Sequence, residues 1–310
     1  MTQPVISVFG GAHIDRRGRI AGETAPAASN PGTWMEEPGG GGFNAARNLA
    51  RLGHAVTMVS PRGGDAEGES VARAAAEAGV TDRPAIYLDR RTPTYTAILE
   101  RNGDLVIAIA DMALYDLFSP RRLRQKALRD LVAQSRLVLC DANLPAETLA
   151  ALTATAKAAG CLTAGIGVSP AKVVRFADSL ASLDFLFLNA AEAAALTGKK
   201  AADPQAWPAL LSACGLRGGV VTAGAGTAVA FSGDEQVTRA PRPLEVIGDV
   251  TGAGDALASG FLAAHLARES LAGCLESGFA AAAITLRSPL AVHPDLSPER
   301  LAAERKRGGE

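Results

Sequence analysis

Short apolar runs, each closed by glycine or a polar turn, alternate along the chain with segments whose apolar positions recur every three or four residues. Val5-Ile6-Ser7-Val8-Phe9, ended by Gly10-Gly11, predicts a buried first strand. Residues 54–60, 136–140, 162–166, 183–188, 219–222 and 228–232 predict further strands. Helical spacing marks residues 45–52, ended by Gly53, and 69–78, ended by Gly79. It marks 146–159, a segment opened by Ala190-Ala191-Glu192, then 255–268 and 271–286. Strands and helices in turn imply an α/β fold, a mostly parallel sheet covered by helices on both faces.

Two stretches break that rhythm. Residues 16–37 are polar and rich in Gly, Ala and Pro, and predict loops and short extended pieces, with Ser29-Asn30-Pro31-Gly32 as a turn. Residues 94–109 hold two apolar, β-prone runs around Asn102-Gly103, the strongest short hairpin signal. An antiparallel hairpin within a parallel chain predicts a small accessory sheet, a lid built from 16–37 and 86–112. The charged tail, 303–310, is expected to be disordered, which leaves 1–302 as one domain.

Composition narrows the function. The chain has 310 residues, 48% of them hydrophobic and only 20% charged, enough apolar material for a large core. Its formal net charge of −1 gives no basic excess for nucleic acid. Arg121, Arg122, Arg124, Lys126 and Arg129 have the spacing of a solvated helix face. Cys140, Cys161, Cys214 and Cys274 lie far apart, so neither a zinc pattern nor a redox pair is present, and such thiols suit a reducing cytoplasm. No signal peptide is evident at Met1-Thr2-Gln3-Pro4, and no apolar run approaches the ~20 residues that cross a bilayer.

The chemistry concentrates in Asp249-Val250-Thr251-Gly252-Ala253-Gly254-Asp255, a glycine-rich turn running into an apolar helix. Free N–H groups and the helix dipole at such a terminus suit a phosphate. Asp255 in the first turn is poorly explained as a phosphate ligand, since like charges repel. It suits a base that deprotonates an attacking hydroxyl, or else it caps the helix. Pro38-Gly39-Gly40-Gly41-Gly42-Phe43-Asn44 is a second glycine cluster opening into a helix, which fits backbone pressed against a ligand, or a hinge. Asn44 suits a sugar hydroxyl or an N-cap. Asp15, just past the first strand, suits substrate hydroxyls at a strand's carboxyl end or a turn cap. The G-x-x-x-x-G-K-[ST] loop, the G-x-G-x-x-G pattern after the first strand and the G-x-S-x-G elbow are absent.

Taken in order, these segments resemble the PfkB, or ribokinase-like, carbohydrate kinases. Pro38 to Gly53 is similar to that family's N-terminal signature, Asp249 to Asp255 to its C-terminal one, Asn189-Ala190-Ala191-Glu192 to its N-x-x-E motif, and Val221-Thr222-Ala223-Gly224 to its nucleotide turn. The resemblance implies a ribokinase-like three-layer αβα core with a small antiparallel β lid. It implies ATP-dependent phosphorylation of a primary hydroxyl on a ribosyl nucleoside, with pseudouridine as first choice. Ribose, a ketohexose, a sugar acid or another nucleoside is the alternative acceptor, and a non-catalytic sugar or nucleotide sensor the alternative of another class. Asp255 would be the base, with Gly252, Ala253 and Gly254 holding the transferred phosphoryl. Asp15, Asn30, Gly40, Gly41, Asn44, Asp111 and Asn143 would meet the acceptor. Asn189, Thr222, Gly224 and Thr251 would line the ATP site, and Glu192 would organise Mg²⁺; a monovalent cation such as K⁺ is compatible. A homodimer is expected. Phe43, Arg47, Gly165-Ile166-Gly167 and Thr227 depart from the family's pattern.

Overall fold

The computed structural model describes residues 5–307. Nine strands form one sheet in the order Glu235–Arg239, Ala228–Ser232, Gly218–Thr222, Phe185–Asn189, Leu162–Ile166, Ser135–Asp141, Val5–Phe9, Ala55–Val59, Thr81–Asp82. All neighbours pair in parallel except at the edge hairpin, where Ala228–Ser232 runs antiparallel to both its partners. Alternation within each strand feeds two cores. Leu137 and Leu139 face a layer holding Phe43, Leu49, Leu257, Phe261 and Leu275. Val138 and Cys140 face the opposite layer, with Leu149, Leu152, Phe176 and Leu211. Period-2 strands between two helical layers give the expected three-layer αβα arrangement.

Strand order reverses at Val5–Phe9. The chain first moves outward to Ala55–Val59, then crosses back to Ser135–Asp141 on the other side. Ligands of open α/β sheets bind beyond the carboxyl ends of strands at such a reversal. The ends here are Gly10 and Asp141, beside the start of helix Gly41–Arg51.

The lid is a four-stranded sheet, in the order Gly32–Gly39, His13–Ile20, Thr94–Leu99, Leu105–Asp111. Its outer pairings are antiparallel, as expected, but the central pair, His13–Ile20 with Thr94–Leu99, is parallel. Residues 16–37 were expected to make loops and short pieces. Instead they contribute most of two eight-residue strands around the loop 21–31. The charges that hide these strands from an apolar pattern also pair them: Arg16 sits opposite Glu36, with Nε 3.1 Å from Oε1. Within 86–112 only the hairpin joins the lid, because Ala85–Tyr87 pairs with Pro61–Gly63 in a separate two-stranded sheet.

Other corrections are smaller. Helix Gly41–Arg51 starts before residue 45, since glycines 41 and 42 take up its first turn. The tail expected to be disordered from 303 continues helix Pro298–Lys306, which is capped by Ser297 and carries Arg305 bonded to Glu269 at 2.7 and 2.8 Å. Residues 308–310 lie outside the described residues. Strand Glu235–Arg239 and helix Trp207–Ala213 are additional to the expected elements.

Candidate active site

Two helix N-termini meet above the sheet. Helix Ala253–Leu266 starts at Gly252, whose φ of 77° is left-handed. A Cβ there would fall 2.1 Å from the Ala291 carbonyl oxygen, so only glycine fits. Ala253 N–H makes a long bond of 3.4 Å to the Val250 carbonyl. A side chain on Gly254 would meet nothing within 4 Å, so the turn opens to solvent. Free N–H groups in the first turn of a helix, facing open space, suit a phosphate.

Asp255 follows in that first turn. Its Oδ2 accepts from Asn44 Nδ2 at 2.8 Å, and its Oδ1 lies 3.3 Å from where a Cβ on Gly41 would sit. Asn44 is therefore not an N-cap. It lies inside helix Gly41–Arg51, aimed across the cleft. The residue is partly exposed, but protein atoms crowd its carboxyl group. Burial pushes Asp255 up to about 7, the charges of Asp141, Asp15 and Glu192 add to the rise, and the Asn44 bond opposes it. A carboxylate poised near neutrality suits proton abstraction.

Asp15 lies on the lid strand His13–Ile20 rather than in a turn. Its Oδ2 lies against Gly39; a Cβ there would come within 1.9 Å. His13 Nε2 is 3.2 Å from Asp15 Oδ1, and His13 Nδ1 is 2.9 Å from the buried Tyr115 hydroxyl. This chain of contacts holds Asp15 beside the glycine turn. Arg17, on the same lid strand, pairs with Glu37 and with Asp249, just before the phosphate turn.

Asp141 ends the core strand Ser135–Asp141 and is absent from the expected site residues. Wholly buried, it accepts from Gly11 N at 3.0 and 3.1 Å, Gly42 N at 2.7 Å, Asn143 N at 2.9 Å and Asn143 Nδ2 at 3.0 Å. It joins the first strand's end to the start of the Asn44 helix. Asn143 is also buried, and its Oδ1 accepts from Lys172 Nζ at 2.6 Å. The switch-point position of Asp141 was the signal that would have found it.

Asn189 and Glu192 form a capping box on helix Ala190–Thr197: Glu192 N donates to Asn189 Oδ1 and Asn189 N donates to Glu192 Oε2, both at 2.9 Å. Glu192 is 6% exposed, yet its charge reaches Asp255. Thr222 ends its strand with Oγ1 3.3 Å from the Leu188 carbonyl, and Gly224 turns with a φ of 61°. Thr251 N donates to Asp249 Oδ1 at 2.8 Å. Val246, Ile247 and Val250 expose apolar side chains on the segment leading into the phosphate turn. Two expected acceptor residues stand apart. Asn30 spends both ends of its amide on its own loop, at Ala25 and Ala28. Asp111 is exposed at the end of the outer lid strand.

A phosphate turn, an adjacent poised carboxylate and a lid carrying a second carboxylate define a phosphotransferase acting on a hydroxyl group. The sequence pattern of the pfkB family carbohydrate kinases matches residues 4–298, and the chain belongs to that family. Pseudouridine kinase of Escherichia coli (strain K12) is 29% identical, with 94% of this chain and 93% of that one covered. A carbohydrate kinase from Agrobacterium tumefaciens is 55% identical with a TM-score of 0.88, covering 98% of this chain and 97% of that one. Arabidopsis thaliana ribokinase complexed with ribose and ATP shares the fold at 21% identity and a TM-score of 0.85, with 99% of each chain covered. The substrate class is a small sugar or nucleoside. Among the described residues, no helix is long and apolar enough to cross a membrane.

Proposed function

We propose that the protein transfers the γ-phosphoryl group of ATP to the primary hydroxyl of pseudouridine, giving pseudouridine 5′-phosphate and ADP. The contact between Asn44 and Asp255 carries the reading, because it sets a base and a hydroxyl-binding amide side by side at the mouth of the phosphate turn. Asp255 takes the hydroxyl proton as the oxygen bonds to phosphorus and the bond to the ADP oxygen breaks. The first-turn N–H groups meet charge developing on the phosphoryl oxygens. Asp15, Gly40 and Gly41 face the ribose, and the lid excludes water, which competes as acceptor. The Escherichia coli relative supports pseudouridine among nucleosides.

Pseudouridine has a ring N–H that uridine uses for its glycosidic bond, and a site built to accept that hydrogen bond rejects an analogue lacking it. Since Asn30 is engaged within its loop, Asp111 is the residue we assign to that N–H. An ATP-consumption assay over pseudouridine, uridine, ribose, a ketohexose and a sugar acid tests the acceptor. Pseudouridine should give the highest kcat/KM. Equal turnover of ribose and pseudouridine would sink the assignment.

Among the described residues no three acidic, His or Cys side chains gather to cage a metal. That fits Mg²⁺, which keeps its waters and is bound through one or two carboxylates and the substrate's phosphates. Glu192 would hold it through water, and the ion would neutralise phosphate charge. Glutamine at position 192 can still accept the Asn189 N–H, so Glu192→Gln should preserve the capping box and the Tm. The Mg²⁺ concentration for half-maximal rate should rise roughly tenfold and kcat should fall. An unchanged Mg²⁺ titration would return Glu192 to a capping role alone.

The outer lid strand supports a homodimer. Leu105, Ile107 and Ile109 alternate along it at 57%, 62% and 68% exposure, and its outer edge pairs with no strand among the described residues. A second copy of this lid would cover both. The four cysteines are unpaired, which suits a reducing cytoplasm.

A further inference from the structure

Phe43 and Arg47, one turn apart on helix Gly41–Arg51, touch. The Arg47 guanidinium lies 4.6 Å above the Phe43 ring centroid. Arg47 is 9% exposed, and its Nη2 donates at 2.7 Å both to the Pro38 carbonyl, at the end of a lid strand, and to Asn44 Oδ1. Asn44 Nδ2 then donates to Asp255 Oδ2 at 2.8 Å. The guanidinium thus fixes which way the amide points. A flipped Asn44 would set its oxygen against the Asp255 carboxylate and its NH₂ against a cation, losing two hydrogen bonds at once.

We propose that Arg47 is the positioning residue for the base: acting through Asn44, it locks the amide so that its NH₂ faces Asp255, favouring the carboxylate, and presents its remaining hydrogen to the acceptor. The proposal rests on Asp255 being the base. With Oδ1 taken by Arg47 and one Nδ2 hydrogen taken by Asp255, Asn44 has one hydrogen left. An acceptor hydroxyl that receives that hydrogen at its oxygen is free to direct its own proton toward a carboxylate. That is the orientation proton abstraction needs.

The surrounding charges make the lock necessary. Asp255 faces Asp141 from the sheet, Asp15 from the lid and Glu192 from helix Ala190–Thr197. Three carboxylates and burial together favour its protonated form, which cannot act as a base. Arg47 feels Glu37, Asp15 and Asp255 as favourable charges and Arg51 as an unfavourable one. Burial lowers Arg47 only to about 10, so it remains a cation at neutral pH.

The test is the pH dependence of kcat/KM for wild type, Arg47→Met, Arg47→Lys and Asp255→Asn. The acceptor is the best one in the panel, with ATP hydrolysis as readout if none is taken. The acid limb of Arg47→Met should move up by about half to one pH unit, as expected for a lost nearby cation, with kcat reduced more than KM is raised. Arg47→Lys keeps the charge but loses the guanidinium stacked on Phe43 that aims Nη2 at Asn44, so its limb should stay near wild type while kcat falls several-fold. A folded Arg47→Met with the wild-type limb and kcat overturns the proposal. If Arg47→Met does not fold, Arg47→Lys decides: wild-type kcat overturns it, and reduced kcat with an unmoved limb supports it. An Asp255→Asn variant with normal rate removes the base reading itself. A dead Asp255→Asn beside an unaffected Arg47→Met removes only the role of Arg47.

Discussion

Asp255→Asn should lower kcat by about 10²–10⁴-fold, the contribution of a positioned base, while ATP and acceptor still bind. The substitution removes a charge and little else, because the new side-chain oxygen can still accept from Asn44. In wild type, kcat/KM should rise with pH through about 7, as Asp255 loses its proton. The residual activity of the variant should show no such limb. Near-normal kcat would end the assignment. Stability should change in the opposite sense. A carboxyl whose folded pKa lies above its unfolded value of about 4 costs stability once pH exceeds that value, and the cost is complete above the folded pKa. Asp255→Asn should therefore be more stable than wild type above about pH 7, an advantage that fades as pH falls and is gone below about pH 4. Melting curves at pH 8 and pH 4 would show it.

Asp141→Ala should cause the largest loss of stability. Without the carboxylate, Gly11, Gly42 and Asn143 keep buried backbone N–H groups with no acceptor. Each such donor costs about 1–3 kcal/mol, so a total of roughly 3–9 kcal/mol is expected. That is a large share of the ~5–15 kcal/mol that separates folded from unfolded chains. The Tm should fall by roughly 5–15 °C. Activity should fall as well at temperatures where the variant is still folded, because Gly42 belongs to the turn that aims Asn44. A thermal scan with an unchanged Tm would mean that water replaces the carboxylate.

The core was legible because its central strands are short, mostly apolar runs and two of its helices are followed by Gly53 and Gly79. Glycine marked the phosphate turn, since a left-handed φ against the Ala291 carbonyl admits no other residue at 252. The lid was half legible. The apolar hairpin around Asn102-Gly103 announced itself, but His13–Ile20 and Gly32–Gly39 are held by cross-strand pairs such as Arg16 with Glu36, which an apolar pattern does not register. Asp15, Asn44 and Asp255 are gathered at one cleft. The residues that orient them, His13, Tyr115, Arg47 and Asp141, were not assigned, because their partners lie far away in sequence: 102 residues separate His13 from Tyr115, and 130 separate Gly11 from Asp141.

The lid leaves the core with almost no slack. Only residues 10–12 separate the first core strand from lid strand His13–Ile20, and only Gly40 separates lid strand Gly32–Gly39 from the helix that carries Asn44. Inserting a residue at either junction would rotate Asp15 or Asn44 away from the cleft, so chain length is fixed there. At the far end, the loop 21–31 and the hairpin turn at 100–104 are solvent-facing tips where additions are tolerated. Changes of length at the rim would therefore reshape the lid's far end while Asp15, Asn44 and Asp255 keep their mutual placement.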